Sequence, residues 1–522
     1  MWINKKITFF QNFRIKYFVY IIGGLALSLA HPPVFIPYII LFVLACIGWY
    51  WYNSRPSYLE SFSCGWLFGF GYFFSSLLWI TEPFLVRPKE TGIYAPFALI
   101  FLAATLSIFW GFAFWGATLR NNFETKIGSL FKLAACLSLA ELLRSYLFTG
   151  FPWVVFGVAF VETPIGQSLA LFGPYWLTSI IIFLSFISIT GSKGILIGVT
   201  GFLMLFLYGE NRIVKDEHLK PEVQVRIVQP NISQELKWKQ ELASSHLEKL
   251  FKLSKNNINE IDLIIWPETA VQFFLEHEKG FAIKVSESLG KVIVLGARKY
   301  LSSKKQLFNS AYLLNEAGQV KTSYDKKHLV PFGEYIPFGT LLKKVGIVGL
   351  ASNGITGFTK GTKPNVMTVG NLPPFAIIIC YESIFSYELD ENISEVDWLI
   401  HLTNDAWFGS YSGPQQHLMH LQARAIEQGL PVLRSANTGI SALIDPYGRI
   451  SHRLDLNTEG YLDVHLSKKL PLTIYSNWGA KRWNILLFSL IVVIISLCFI
   501  REIFSQRKVT ELKATEDLDE SY

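Results

Sequence analysis

Cysteine is scarce in this sequence. Five occur in 522 residues, Cys46, Cys64, Cys136, Cys380 and Cys498. That spacing excludes a disulfide framework, and no second thiol stands near Cys380 to begin a metal site. Charge is scarce as well: Asp, Glu, Lys and Arg make up 17% of the chain, whereas 51% is hydrophobic and 15% aromatic. An ordinary soluble enzyme carries about 25% charged residues, so the chain is too apolar to be wholly soluble. The net charge of +7 is not gathered into a basic patch, and no nucleic-acid surface is expected from it. Internal repeats are also lacking.

What is present in quantity is long apolar sequence. A helix crossing a hydrocarbon core of about 30 Å needs roughly 20 mostly apolar residues. Stretches of that kind lie near 17–31, 34–52, 61–82, 93–116, 129–149, 168–190, 193–208 and 484–500. The first is followed at once by others and by no small-residue cleavage site, so it reads as a span and not as a cleavable signal. With the N-terminus in the cytoplasm, that side collects Lys5, Lys6, Arg14, Lys16, Arg55, Arg120, Lys126, Lys132 and Lys193, against Arg87 and Lys89 opposite. The bias predicts N-terminus in, although Lys481 and Arg482 run mildly against it. Four segments follow: a seven-span region 1–210, an extracytoplasmic domain 211–482, a last span 483–501 and a charged cytoplasmic tail 502–522, expected to be disordered after Ile500.

Within the middle block the pattern changes. VQVRIVQ (223–229), IDLIIWPE (261–268), KVIVLGAR (291–298), FAIIICYE (375–382) and WLIHLTND (398–405) read as strands, and they alternate with helical stretches such as HLEKLFKLSKNNI and QQHLMHLQARAIEQG. Near-continuous apolar strands are buried on both faces, which predicts an α/β domain with helices covering a sheet.

Cys46, Cys64, Cys136 and Cys498 fall inside predicted spans, so only Cys380 belongs to the middle block. A lone cysteine there is ordinarily an inert core thiol. Its position points elsewhere, because it ends a buried strand, where α/β folds assemble ligand sites. A second strand ends in Glu268, and TSYDKKHLVPFGEYIP carries Lys326 and Glu334. Carboxylate, lysine and thiol are what acyl transfer needs. The first takes the thiol proton, the second stabilises thiolate and oxyanion, and the third attacks.

WPET (266–269), YDKKHLVPFGEYIP (324–337), CYE (380–382) and LTNDAWFG (402–409) resemble the nitrilase, or carbon–nitrogen hydrolase, superfamily. With seven preceding spans, a trailing span, TGFPWVVFG (149–157) and QPNISQELKW (229–238), the chain resembles the apolipoprotein N-acyltransferase family in particular. The resemblance implies a nitrilase-like αββα sandwich inserted between about eight spans. It implies Glu268 as base, Lys326 as the lysine and Cys380 as nucleophile. It gives supporting places to Glu334, Tyr381, Glu382 and Trp238, the last an aromatic at the substrate entrance; Asn404, Asp405 and Trp407 are expected to line or brace the site. Lys327 is the rival of Lys326, and the family spacing selects 326. The implied reaction moves an acyl chain from a phospholipid, the sn-1 chain of phosphatidylethanolamine, through a Cys380 thioester. The acceptor is the α-amine of the diacylglyceryl-cysteine of an apolipoprotein, with no cofactor and no metal. The implied location is a bacterial inner membrane with the site in the periplasm.

Other residues have plainer readings. Glu141 and Arg144 stand at i, i+3 in the fifth expected span, where charge is expensive; a structural ion pair and a functional role both fit. His328 is expected to orient its loop. Arg424 and Glu427 are spaced for a salt bridge. The apolar, glycine-rich stretch 341–358 is expected to be a mobile loop that gates acyl chains at the membrane. Two rivals remain: a membrane-anchored nitrilase-type amidase that uses water as acceptor, and a transporter or lipid-binding scaffold with an inactive domain.

Overall fold

The computed structural model describes residues 13–120, 125–213, 223–337, 357–389 and 393–519. Its N-terminal part is helical: α1 (Phe13–Ser28), α2 (Ile39–Ser54), α3 (Tyr58–Ser76), α4 (Ala95–Thr118), α5 (Lys126–Arg144), α6 (Leu169–Ile187) and α7 (Ser192–Arg212). A capping box starts α3, in which the Ser57 backbone N–H donates to Glu60. Close helix approach follows from small residues. A Cβ on Gly24 would lie 2.2 Å from the Phe68 carbonyl oxygen, and one on Gly71 2.4 Å from that of Ile21, so α1 and α3 cross with backbones touching.

Among the described residues four stretches can cross a membrane by length and apolarity, Pro88–Thr118, Pro164–Ile187, Ser192–Arg212 and Ala480–Glu502, and α3 with Leu78–Leu85 makes a fifth, bent by 65°. These apolar helices are those of a membrane protein. The expected count of eight spans is not matched. Helices α1 and α2 have 16 residues each, which rise only about 24 Å. Helix α5 carries Lys126, Lys132, Glu141 and Arg144. Its inner charges are satisfied within the bundle: Lys132 Nζ lies 2.8 Å from Glu502, and Arg144 Nη2 lies 2.7 Å from Glu141. Glu141 also accepts from Trp110 Nε1 at 2.8 Å, and Arg144 donates to the carbonyls of Phe151 and Trp153. The pair is therefore structural, and it holds the loop after α5.

The rest is a sandwich of two six-stranded sheets, with twelve strands among the described residues where the sequence reading named five. One runs β12-β1-β2-β3-β4-β5, the other β11-β10-β9-β8-β7-β6. The first comprises β1 (Gln224–Gln229), β2 (Leu263–Ile265), β3 (Val292–Leu301), β4 (Gln306–Leu314), β5 (Val320–Asp325) and β12 (Gly460–His465). The second comprises β6 (Val366–Met367), β7 (Phe375–Ile379), β8 (Trp398–Thr403), β9 (Val432–Ala436), β10 (Ser441–Ile444) and β11 (Ile450–Leu454). Helices α8 (Ala243–Lys255) and α9 (Lys279–Ser288) cover the first sheet, where Leu250, Phe251, Phe281 and Val285 pack on Val228, Ile264 and Ile293. Helix α10 (Gly413–Gln428) covers the second with Leu418, Leu421 and Ala425. Its other side, Met419, Ala423 and Ile426, joins the core of the bundle. Gln416 fastens that contact by accepting from Trp153 Nε1 at 2.7 Å and donating to the Pro32 and Ser76 carbonyls at 3.0 Å.

The last helix, α11, runs Ala480–Asp519, so the disorder expected after Ile500 gives way to continued helix. The tail lacks glycine and proline and is rich in Glu, which favours that outcome. Of the expected gating loop 341–358, all but Gly357 and Phe358 lies outside the described residues.

Candidate active site

Strands β7, β8 and β9 are parallel, as are β1, β2 and β3, and their C-terminal ends supply the site. Cys380 follows β7 directly and begins a 3-10 turn, Cys380–Ile384. Its φ of 50° is one a non-glycine residue rarely adopts, so the surrounding packing must hold it there. Glu268 follows β2 on a turn that lies against β3. A Cβ on Gly296 would come within 2.6 Å of Glu268 Cα, so glycine is what lets the turn approach.

Glu268, Lys326 and Glu334 form one buried cluster. Lys326 Nζ stands 3.0 Å from both Glu334 oxygens and 3.7 Å from Glu268 Oε1. Asn309 Nδ2 bridges the carboxylates, donating to Glu268 at 2.6 Å and to Glu334 at 3.0 Å. The other Glu268 oxygen accepts from the Asn404 backbone N–H at 2.8 Å, and Glu334 accepts from that of Val330 at 2.8 Å. Burial opposes the Lys326 charge, but Glu334, Cys380 and Glu268 outweigh it and raise its pKa. It is a permanent ammonium. Burial, and next the Glu268 charge, pushes the Cys380 thiol up; Lys326 and a hydrogen bond from Thr403 pull the other way. At neutral pH the thiol keeps its proton, and Glu268 is the carboxylate that acts on it most strongly.

Beneath Cys380 lies a ring of buried polar groups, of which sequence reading had found Asp405 alone. The Cys380 carbonyl accepts from His401 Nε2 at 3.0 Å and from His417 Nε2 at 3.1 Å. His401 Nδ1 accepts from Arg434 at 2.9 Å, His417 Nδ1 is 3.0 Å from Asp405, and Arg434 closes the ring on Asp405. All four side chains are buried. The ring grips Cys380 by its main chain and explains how the strained φ is held. Lys237 was also missed. It is buried, its Nζ donates to the Glu268 carbonyl at 3.1 Å, and burial lowers its pKa to about 8 against the pull of Glu268 and Cys380.

Lys326 enters the cluster, whereas Lys327 is half-buried outside it and contributes its backbone N–H to Glu382 at 2.6 Å. Tyr381 is buried against Phe385 and His328. His328 bonds Glu388 at 2.6 Å and stacks on Phe385, a positioning role. Trp238 is 37% exposed and lies against Arg298. Asn404 spends its side chain on Gln234 and Asn437 and serves the cluster through its main chain. Trp407 is half-buried, packed against the core. Arg424 and Glu427 form the expected pair at 2.5 Å, but buried.

Glu382 ties the Cys380 turn to the strand of Lys326. It accepts from Tyr324 Oη at 2.7 Å, the backbone N–H groups of Lys327 and His328 at 2.6 and 3.2 Å, and that of Ile379 at 2.7 Å. Glutamine would set an NH₂ against one of these donors, so Glu382→Gln should destabilise by about 1–3 kcal/mol and impair acylation more than Tyr324→Phe does. Burial, then Glu388, raises the Glu382 pKa from 4.5 to about 7. The folded state therefore holds the proton longer than the unfolded one, and stability falls as pH rises through that window. Melting curves should show a smaller decline over it in Glu382→Gln; an equal slope would remove Glu382 as its source.

The carbon–nitrogen hydrolase family profile matches residues 224–471, and that of the apolipoprotein N-acyltransferase N-terminal domain matches residues 23–187. A Rhodopseudomonas palustris protein named apolipoprotein N-acyltransferase is 36% identical over 449 residues, 80% of this chain and 82% of the relative. The chain belongs to the apolipoprotein N-acyltransferase family. Family members of the same name from Sinorhizobium fredii and Brucella suis are 34% and 35% identical, over 84% and 78% of this chain and 86% and 80% of their own. Among solved structures, a CN-hydrolase superfamily protein of Xanthomonas campestris aligns with 47% of this chain and 90% of its own at 17% identity and a TM-score of 0.35. The fold assignment rests on the paired six-stranded sheets and the family match.

Proposed function

We propose that this protein is an N-acyltransferase that takes an acyl chain from a membrane phospholipid and delivers it to the α-amine of a diacylated apolipoprotein. The observation that carries the reading is Glu268 beside the Lys326 ammonium, with a protonated Cys380 thiol under the influence of both, in a chain of several membrane-type helices. In the first step Glu268 takes the thiol proton and Sγ attacks the ester carbonyl, typically of the sn-1 chain of phosphatidylethanolamine. The ammonium of Lys326 stabilises the oxyanion. The carbonyl re-forms, the C–O bond breaks, and the alkoxide leaves as lysophospholipid with the proton from Glu268. In the second step the lipoprotein amine attacks the thioester, Glu268 takes the amine proton, and the thiolate departs to be reprotonated. Both substrates are lipids, and drawing an acyl chain into water costs about 0.8 kcal/mol per CH₂, which is the reason for a membrane-bound scaffold.

The lysines and arginines flanking the apolar stretches support an inner-membrane location, N-terminus in, with the site on the periplasmic side. Hydrolysis, with water as acceptor, would use the same three residues but gives the apolar helices no task. Incubation with phosphatidylethanolamine followed by intact mass spectrometry is the test. A hydroxylamine-labile gain of one acyl group, absent in Cys380→Ala and discharged by a diacylated lipopeptide with amide formation, is the expected result. Discharge by water alone would favour the hydrolase, and no adduct at all would end the proposal.

A further inference from the structure

Arg298, on β3, is a cation without a counter-ion among the described residues. It stands opposite Asn309 in the antiparallel register, on the side of the sheet where Asn309 reaches Glu268. Its guanidinium lies 4.3 Å from the Trp238 ring centroid and 5.3 Å from that of Phe274. Nη2 donates to the Gln272 carbonyl at 2.9 Å, and Nε is buried without a partner. Among the described residues no carboxylate lies within 4 Å of it, and burial alone lowers its pKa. A half-buried guanidinium with spare donors, held between the Trp238 and Phe274 rings, is pre-organised to donate to an anion in bidentate fashion. Lys237, next to Trp238, adds a second buried cation with no carboxylate partner in its own contacts.

We infer that Arg298 binds the phosphodiester of the acyl donor and so places the glycerol ester over Cys380. The inference rests on the reaction proposed above. Of its two substrates only the phospholipid brings an anion to the site, since the acceptor presents an amine. Recognition through the phosphodiester predicts that the enzyme distinguishes phospholipids from uncharged esters while remaining broad toward what lies beyond the phosphate.

The test compares phosphatidylethanolamine with p-nitrophenyl palmitate, an ester without phosphate, as acyl donors to Cys380 in the full-length protein. Selectivity is the ratio of the two kcat/KM values. Arg298→Gln should lower that ratio about tenfold or more, chiefly through the phospholipid KM, and Arg298→Lys should recover part of it. Because both donors use the same folded protein and the same thiol, a general loss of folding leaves the ratio unmoved. A ratio within about twofold of the wild type in Arg298→Gln overturns the inference. So does inhibition of wild-type turnover by inorganic phosphate equally with both donors, which would mark a free-phosphate site. Failure of the underlying reaction reads differently, as wild-type protein that forms no Cys380 adduct with phosphatidylethanolamine.

Discussion

Glu268→Gln is expected to slow acylation of Cys380 by phospholipid by roughly a hundredfold to ten-thousandfold, the range of a lost general base. The thiol is held protonated by burial and by the Glu268 charge, so it cannot supply thiolate unaided. Glutamine fills the same space but takes no proton. It also turns a donor toward either Asn309 Nδ2 or the Asn404 N–H, both of which now donate to Glu268 at 2.6 and 2.8 Å. A second readout moves in the opposite direction. With the carboxylate gone and Lys326 still beside it, the thiol should titrate lower, and alkylation of Cys380 by iodoacetamide near pH 8 should become faster than in the wild type. Slow acylation together with faster alkylation separates loss of a base from collapse of the site. Acylation within about tenfold of the wild type would transfer the role to another group.

Asp405→Asn should have the largest effect on stability. Asp405 and Arg434 are both fully buried, and removing one partner of such a pair costs about 3–5 kcal/mol because the other charge is left in the interior. Arg434 would retain the Ile440 carbonyl and His401 as partners, neither of them charged to match it. The apparent melting temperature in detergent should fall sharply, and acylation should fall with it because His417 loses the group that orients it toward the Cys380 carbonyl. Burial alone would raise the Asp405 pKa, but Arg434, His417 and Thr403 hold it well below the usual carboxylate range. Its folded value lies under its unfolded one, so the stabilisation is present above the ordinary carboxylate pKa and is lost only as pH falls through the folded value. From about pH 5 to about pH 9 the deficit of the variant should therefore stay constant. Removing both charges in Asp405→Asn/Arg434→Met should recover part of the loss; a melting temperature for Asp405→Asn equal to the wild type would show the ring to be dispensable.

Much of the α/β domain was legible because its central strands are buried on both faces and so read as unbroken apolar runs. The five strands expected correspond to β1, β2, β3, β7 and β8, and the polar residues that terminate three of those stretches, Glu268, Cys380 and Asn404, converge at one end of the sandwich. Strands such as β5 (VKTSYD) and β11 (ISHRL), half exposed, carry no such run and passed unread. The membrane half was legible as composition and less so as a count of spans. Apolarity marks a helix as buried in something, but lipid and protein are equally apolar surroundings. Helix α5 has its charges inside the bundle, satisfied by Glu502 from α11 and by its own i, i+3 pair, and no local pattern announces a partner 370 residues away.

The chain by itself determined which chemical groups were available and on which element each would stand, since strand periodicity, the glycine and prolines around Lys326 and the scarcity of cysteine are local properties. Tertiary structure decided which of those groups could act. It set Lys326 and not Lys327 against the carboxylates, and it gave Asn404 a main-chain duty in place of a side-chain one. It also built the His401–Arg434–Asp405–His417 ring under Cys380 and left Arg298, beside Trp238, without a counter-ion among the described residues. Such properties depend on what burial removes from water and what it brings within hydrogen-bonding distance, and those are fixed only when the two sheets close on each other and on the helices.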